Sequence, residues 1–154
     1  RVFFDKVSAR PEWKNTVWVI TGDHRLPEIP MSTKIDRYHV PLLIYSPMLK
    51  KAEKFSSISS HFDIAPTLTA WLKYSHGLVI PDITAWVGTG IDTSKTFRNI
   101  HLIPLKQTKP DLADFIRGEY MISNESVFKI SSTPNLIREI PTALLSSNGM
   151  ANPA

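Results

Sequence analysis

Asp23 and His24 stand side by side directly after Gly22, where the apolar run Thr16–Ile20 has just ended. A carboxylate oxygen and an imidazole nitrogen suit a transition metal, and in open α/β sheets ligands gather outside the carboxyl ends of strands. Consecutive side chains point to opposite faces while the backbone stays extended. The two can therefore reach one ion only where the chain leaves the sheet, which is where Gly22 sits. The competing reading is an ordinary loop cap. A catalytic ion generally needs three protein ligands or more, and no further cluster of carboxylates stands in the sequence. The pair is at most part of a metal site.

The other residues able to do chemistry are more isolated. Arg25 adjoins the pair; its planar fork suits phosphate or sulfate oxygens, and Glu28 is an equally available partner. His39 precedes a second apolar run and reads as a loop imidazole. His61 stands at a helix start, where it could hydrogen-bond to the backbone or approach the Asp-His site; the helix-entry role is the preferred reading. His76 and His101 have no acidic or histidine neighbours and are expected at the surface. Asp92 and Arg98 are spaced for a structural ion pair. Gly88-Thr89-Gly90 lacks the third glycine and the preceding strand of a dinucleotide fingerprint, so it is a turn. Neither Gly-x-Ser-x-Gly nor Ser/Cys-x-Pro-x-Arg occurs, so no activated nucleophile is recognisable.

Which elements would place these residues? Residues 1–10 read as the end of a helix with Val2, Phe3 and Val7 on its apolar face, stopped by Pro11. Thr16–Thr21 is β-branched and aromatic on both faces, which predicts a strand buried on both sides in a parallel sheet. A long Pro-containing loop, 25–39, leads to a second strand at Val40–Tyr45. A helix follows with Ile64, Leu68, Trp71 and Leu72 on one face, Asp63 as its cap or a first-turn carboxylate, Pro66 in its first turn and Gly77 as its stop. Beyond residue 80 come short runs at 100–105, 114–116, 120–123 and 127–130, with Asn124-Glu125 between the last two. These predict an antiparallel meander. The expected architecture is therefore α/β, parallel strands followed by a C-terminal meander, over residues 1–140 with a flexible tail at 141–154.

Composition narrows the function classes. The chain has 154 residues, 42% of them apolar and 21% charged, no cysteine, and a net charge of +4. That is ordinary for one globular domain, and thiolate metal sites are excluded. The basic residues Lys50, Lys51, Lys54, Lys106 and Lys109 are spread without aromatic interleaving. Nucleic-acid binding is therefore not expected; a solvated surface or a mild preference for anionic substrates is. No signal peptide is recognisable, and the apolar runs are too short to span a bilayer. Arg1–Val7 opens already in amphipathic register, which reads as a chain cut from something longer.

Three blocks carry a family resemblance: Asn15–His24, His39–Pro47 and Ser60–Leu68. In this order they resemble the C-terminal half of the sulfatase-like alkaline phosphatase superfamily, in particular the lipoteichoic acid synthase branch of phosphoglycerol transferases. The resemblance implies an α/β sandwich with a metal site at its strand ends, Asp23 and His24 as metal ligands, and Arg25 as a candidate contact to substrate oxygens. It implies that the nucleophile and remaining ligands belong to an N-terminal half, with no catalytic residue in this chain. It also implies a phosphate or sulfate ester as substrate, and a location on the outer face of a bacterial cytoplasmic membrane or in the periplasm. An imidazole ligand favours zinc or manganese over calcium. In such a protein the isolated chain would be inactive. Asp63 and Thr67 match scaffold positions. The family often has glycine or an acid after Asp-His where this chain has Arg25-Leu26-Pro27, which leaves the substrate open. The alternatives are a metal-free structural fragment, or a flavodoxin-like binding module with continued strand–helix alternation after residue 80.

Overall fold

A computed structural model describes residues 1–106, 112–124, 126–133 and 136–141. The tail expected at 141–154 lies outside them except for Pro141. The chain forms two compact units, Arg1–Lys54 and Phe55–Ala154, each described by itself.

In the first unit, helix α1 (Val2–Val7) is followed by a 3-10 turn at Pro11–Asn15. Pro11 does more than stop a helix: it starts this turn, where its fixed φ and missing N–H are tolerated. Strand β1 is Trp18–Thr21 and strand β2 is Leu42–Tyr45. Trp18 pairs with Tyr45 and Thr21 with Leu42, so the strands run antiparallel. This corrects the parallel pairing expected from the sequence. A parallel return needs a crossover, usually helical; the segment between these strands holds only a 3-10 turn, Lys34–Arg37. Burial on both faces is also not found. Ile20 is 42% exposed and Leu43 55%, because two strands alone offer little area to cover either face.

Aromatic rings tie this unit together. The rings of Phe3 and Phe4 lie 5.3 and 5.6 Å from that of Trp18, and Trp13 lies 5.6 Å from Tyr45. Such edge-on and tilted pairs add about 0.5–1.5 kcal/mol each beyond the area they bury. The buried Ser46 hydroxyl donates to the Thr16 carbonyl at 2.8 Å, joining the end of β2 to the approach of β1. Between the strands, the Asp36 carboxylate accepts the backbone N–H of Ser32 and of Thr33 and so fixes the turn that buries Ile35.

The second unit contains α2 (Ile64–His76), which begins and ends as the sequence predicts. Asp63 occupies the N-cap, and Pro66 sits in the first turn. Gly77 adopts φ +66°, and its N–H reaches the Lys73 carbonyl while that of Leu78 reaches Leu72. This closure needs a left-handed residue. The apolar face is covered less than its spacing suggests: Ile64, Leu68 and Trp71 are half-buried, Leu72 is exposed, and Pro66 is the buried residue.

Strands β3 (Leu102–Lys106), β4 (Leu112–Arg117), β5 (Tyr120–Ser123), β6 (Ser126–Thr133) and β7 (Leu136–Pro141) form one antiparallel sheet in sequence order. Two-residue links join β4 to β5 and β5 to β6; Gly118 and Asn124 take positive φ there, as primed hairpin turns require. Ile103, Ile116 and Met121 register directly across three strands and are all buried, with Ile130 on β6 completing the face. The meander is as expected, but β7 is an addition, because Leu136-Ile137-Arg138-Glu139-Ile140 does not alternate. The chain is thus mixed α/β, with two antiparallel sheets among the described residues. The strand–helix alternation of a flavodoxin-like module is not formed over β3–β7. No helix among the described residues is long and apolar enough to cross a membrane.

Candidate functional site

β1 ends at Thr21 and the backbone turns at Gly22. A Cβ on Gly22 would lie 3.2 Å from the His24 carbonyl oxygen and 3.3 Å from Val40 Cγ1, so the corner is tight enough to favour glycine. Past it, Asp23 and His24 are brought together. The His24 backbone N–H donates to Asp23 Oδ1 at 3.0 Å, and His24 Nε2 lies 3.7 Å from the same oxygen. The two side chains are 92% and 66% exposed, respectively.

The other imidazole nitrogen decides what this pair can do. His24 Nδ1 lies 2.6 Å from the Arg25 carbonyl oxygen, and a carbonyl only accepts. Nδ1 therefore carries the proton in the neutral ring and Nε2 keeps its lone pair, facing the carboxylate. An N–H held by a backbone carbonyl is the usual support of a metal-ligating histidine. A tetrahedral ion with bonds of about 2.0–2.2 Å holds its ligand atoms roughly 3.4 Å apart, close to the separation found. As two donors, Asp23 and His24 fit a divalent ion. Among the described residues no group of three or more acidic or histidine side chains is assembled to hold one.

Arg25 turns onto its own loop. Its Nη1 donates to the carbonyls of Leu26, Pro27 and Ile29 at 3.0–3.1 Å, in place of an ion pair with Glu28. This curls residues 25–29 around the guanidinium beside the Asp-His corner. His39 is exposed ahead of β2, and His61 is exposed in the 3-10 turn His61–Asp63 before α2. His76 is exposed at the end of α2, its Nδ1 2.6 Å from Ser75 Oγ.

A second polar cluster lies in the second unit, and sequence reasoning missed it. Asp63 is 1% exposed. Its Oδ2 accepts the N–H and the hydroxyl of Ser60 at 2.8 and 2.9 Å; its Oδ1 accepts the N–H of Thr89 and of Gly90 at 3.0 and 3.2 Å. Thr67 donates its hydroxyl to the Asp63 carbonyl and accepts the Ile91 N–H. The Gly88–Gly90 turn is thus clamped to the start of α2. Gly88 is required for that approach, since a Cβ there would lie 2.3 Å from the Phe62 carbonyl oxygen. Asp63 and Thr67 hold scaffold, as the resemblance implies.

His101, expected at the surface, is 8% exposed and joins this cluster. Its Nδ1 lies 3.1 Å from Thr89 Oγ1 and 3.6 Å from Asp63 Oδ1. Its neighbours in sequence gave no sign of this, because both partners arrive through the fold. Nearby, Arg98 grips Asp92 through Nε and Nη2 at 2.7 and 2.8 Å. These bonds hold the Asp92 carboxyl below its ordinary value, and the expected ion pair is present.

Neither the curated proteins nor the solved structures provide a match. Residues 1–74, a little under half of the chain, match the family model described as Sulfatase. That segment carries β1, the Asp23-His24 corner, β2 and nearly all of α2, and over it the chain is similar to that family.

Proposed function

We propose that this chain is the part of a phosphate- or sulfate-ester hydrolase or transferase that supplies Asp23 and His24 to a divalent-metal site, the nucleophile and further ligands lying outside residues 1–154. Sulfatase-family proteins act on sulfate esters and typically depend on a divalent metal. The observation that carries the reading is the convergence of Asp23 Oδ1 and His24 Nε2 at 3.7 Å, with Nδ1 held by the Arg25 carbonyl. A bound ion would polarise an ester oxygen and screen the charge that develops on it. Asp23 contributes negative charge to ion binding, while the Arg25 carbonyl fixes the imidazole tautomer. Arg25 holds the 25–29 loop with Nη1, and an ester oxygen would meet its other guanidinium nitrogens. Within this reading we favour zinc or manganese, the phosphoglycerol transferase (lipoteichoic acid synthase) branch, and an extracytoplasmic location.

Cleavage of p-nitrophenyl sulfate and bis(p-nitrophenyl) phosphate by the protein carrying the complete site tests this. Asp23→Ala or His24→Ala is expected to lower turnover at least about 100-fold, the upper range for losing a residue that merely supports a metal ligand. Activity retained in both variants would refute the assignment.

Two donors do not satisfy a catalytic ion. We therefore also propose that the 154-residue chain by itself is inactive and binds zinc and manganese weakly. Calorimetric titration giving tight, stoichiometric binding would contradict this second statement while leaving the ligand assignment intact.

A further inference from the structure

The five-stranded sheet sorts its charges by face. Side chains alternate between faces along a strand, and Ile103, Ile116 and Met121 occupy the buried one. The other face carries the row Leu102, Arg117, Tyr120 and Lys129, each registering with the next from β3 to β6. Among the described residues, no strand position on this open face is acidic. Asp114 and Glu139 register with Ser123 and Ile130, on the buried face, and Glu119 stands in the link between β4 and β5. Neither Arg117 nor Lys129 is in an ion pair among the described residues.

The surface around these cations is apolar. Leu102 is 64% exposed, and Ile122, two residues along β5 from Tyr120, is 42% exposed. Leu102 lines an open cavity together with Ile100 and Val87, which are 63% and 64% exposed. Trp86, 42% exposed, directly precedes Val87. Apolar and aromatic side chains left in water beside cations suit a protein that lies on a bilayer. The apolar groups enter the acyl boundary, a Trp sits at headgroup level, and long basic side chains reach the phosphates. A protein partner covering this face would have to place its own acids against Arg117 and Lys129, because burying an unpaired charge is costly. A membrane of anionic lipid supplies that charge at any register.

We infer that the open face of β3–β6, with the neighbouring Trp86 and Val87, docks on the surface of an anionic lipid bilayer. Arg117 and Lys129 meet the headgroups, and Ile100, Leu102 and Ile122 enter the acyl boundary. This is attachment at the surface and not a span. The inference uses neither Asp23 nor His24 and stands apart from the metal-site reading.

The 154-residue chain is sedimented with vesicles of phosphatidylcholine, alone or mixed with phosphatidylserine, and its Trp fluorescence is followed with bromine-labelled lipid. Each cation at a charged membrane surface strengthens binding about fivefold. The anionic vesicles should therefore bind at least about tenfold more tightly than the neutral ones. Arg117→Gln combined with Lys129→Gln should abolish that preference. Brominated anionic lipid should quench the unaltered chain, and Trp86→Phe should lose much of the quenching. The proposal is overturned by no binding to anionic vesicles, by equal binding to both kinds, or by a preference that survives in the double variant. Quenching unchanged in Trp86→Phe overturns it too, as does a single-stranded oligonucleotide that binds more tightly than the vesicles. Should the double variant not fold, added salt decides on the unaltered chain: loss of the anionic preference is expected, and indifference to salt overturns the proposal.

Discussion

The Thr89 backbone N–H donates to Asp63 Oδ1 at 3.0 Å, joining the turn after α2 to the residue that begins it. The same carboxylate holds Gly90 and both donors of Ser60. Asp63→Ala would strand four donors in a site 1% exposed. A loss of about 3 kcal/mol is expected, read as a lower denaturation midpoint in urea. A loss below about 0.5 kcal/mol would show that the clamp contributes little.

Two glycines separate steric demand from backbone strain. At Gly88 a Cβ would lie 2.3 Å from the Phe62 carbonyl oxygen and 2.7 Å from the Asp63 nitrogen, both backbone atoms that cannot swing away. Gly88→Ala should cost at least about 2 kcal/mol. At Gly77 nothing lies within 4 Å of an added Cβ, but φ is +66°. Gly77→Ala should cost only about 1 kcal/mol. Thermal unfolding of both variants checks the order.

Asp92 and Arg98 predict a pH dependence of known sign. Hydrogen bonds from Arg98 are the largest cause holding the Asp92 carboxyl below its ordinary value of 3.8. A group depressed on folding stabilises the native state above its unfolded pKa and loses that contribution as pH falls through the folded one. The window therefore lies below about pH 4. In Arg98→Met this part of the acid limb should flatten relative to the unaltered chain. Denaturant titrations at stepped pH measure it, and superimposable acid limbs would exclude the pair as the cause.

Asp23 and His24 should be dispensable for folding. Their side chains are 92% and 66% exposed, so Asp23→Ala and His24→Ala are expected to change stability by no more than about 0.5 kcal/mol. This matters for the activity test, because a loss of ester cleavage then reports on the site. Calorimetric unfolding of each variant provides the check.

Arg25→Met removes three hydrogen bonds to loop carbonyls. Faster amide exchange over residues 26–29 is expected, with exchange in β1 unchanged, since local opening of an exposed loop need not involve the strand. Unaltered protection over 26–29 would show that the guanidinium does not hold the loop.

What could be read from the sequence was what is local. Asp23, His24 and Gly22 are contiguous, so the corner they make follows from three adjacent residues. Asp63, Pro66 and Gly77 mark α2 through rules acting within a turn. By contrast, β1 and β2 look buried in composition, yet hydrophobicity carries no strand direction, and the antiparallel pairing emerged only from the helix-poor path between them. His101 was misplaced for the same reason. Its contact with Thr89 depends on how the 88–90 turn returns to the start of α2, which spacing does not encode.

Each strand from β3 to β7 lies beside its predecessor in the chain. Such a sheet has low contact order, so its assembly pays little loop-closure entropy and can zip outward from a single hairpin. The Gly118 and Asn124 turns are natural places for that zipper to start. Replacing either with a β-branched residue should slow refolding more than it hastens unfolding.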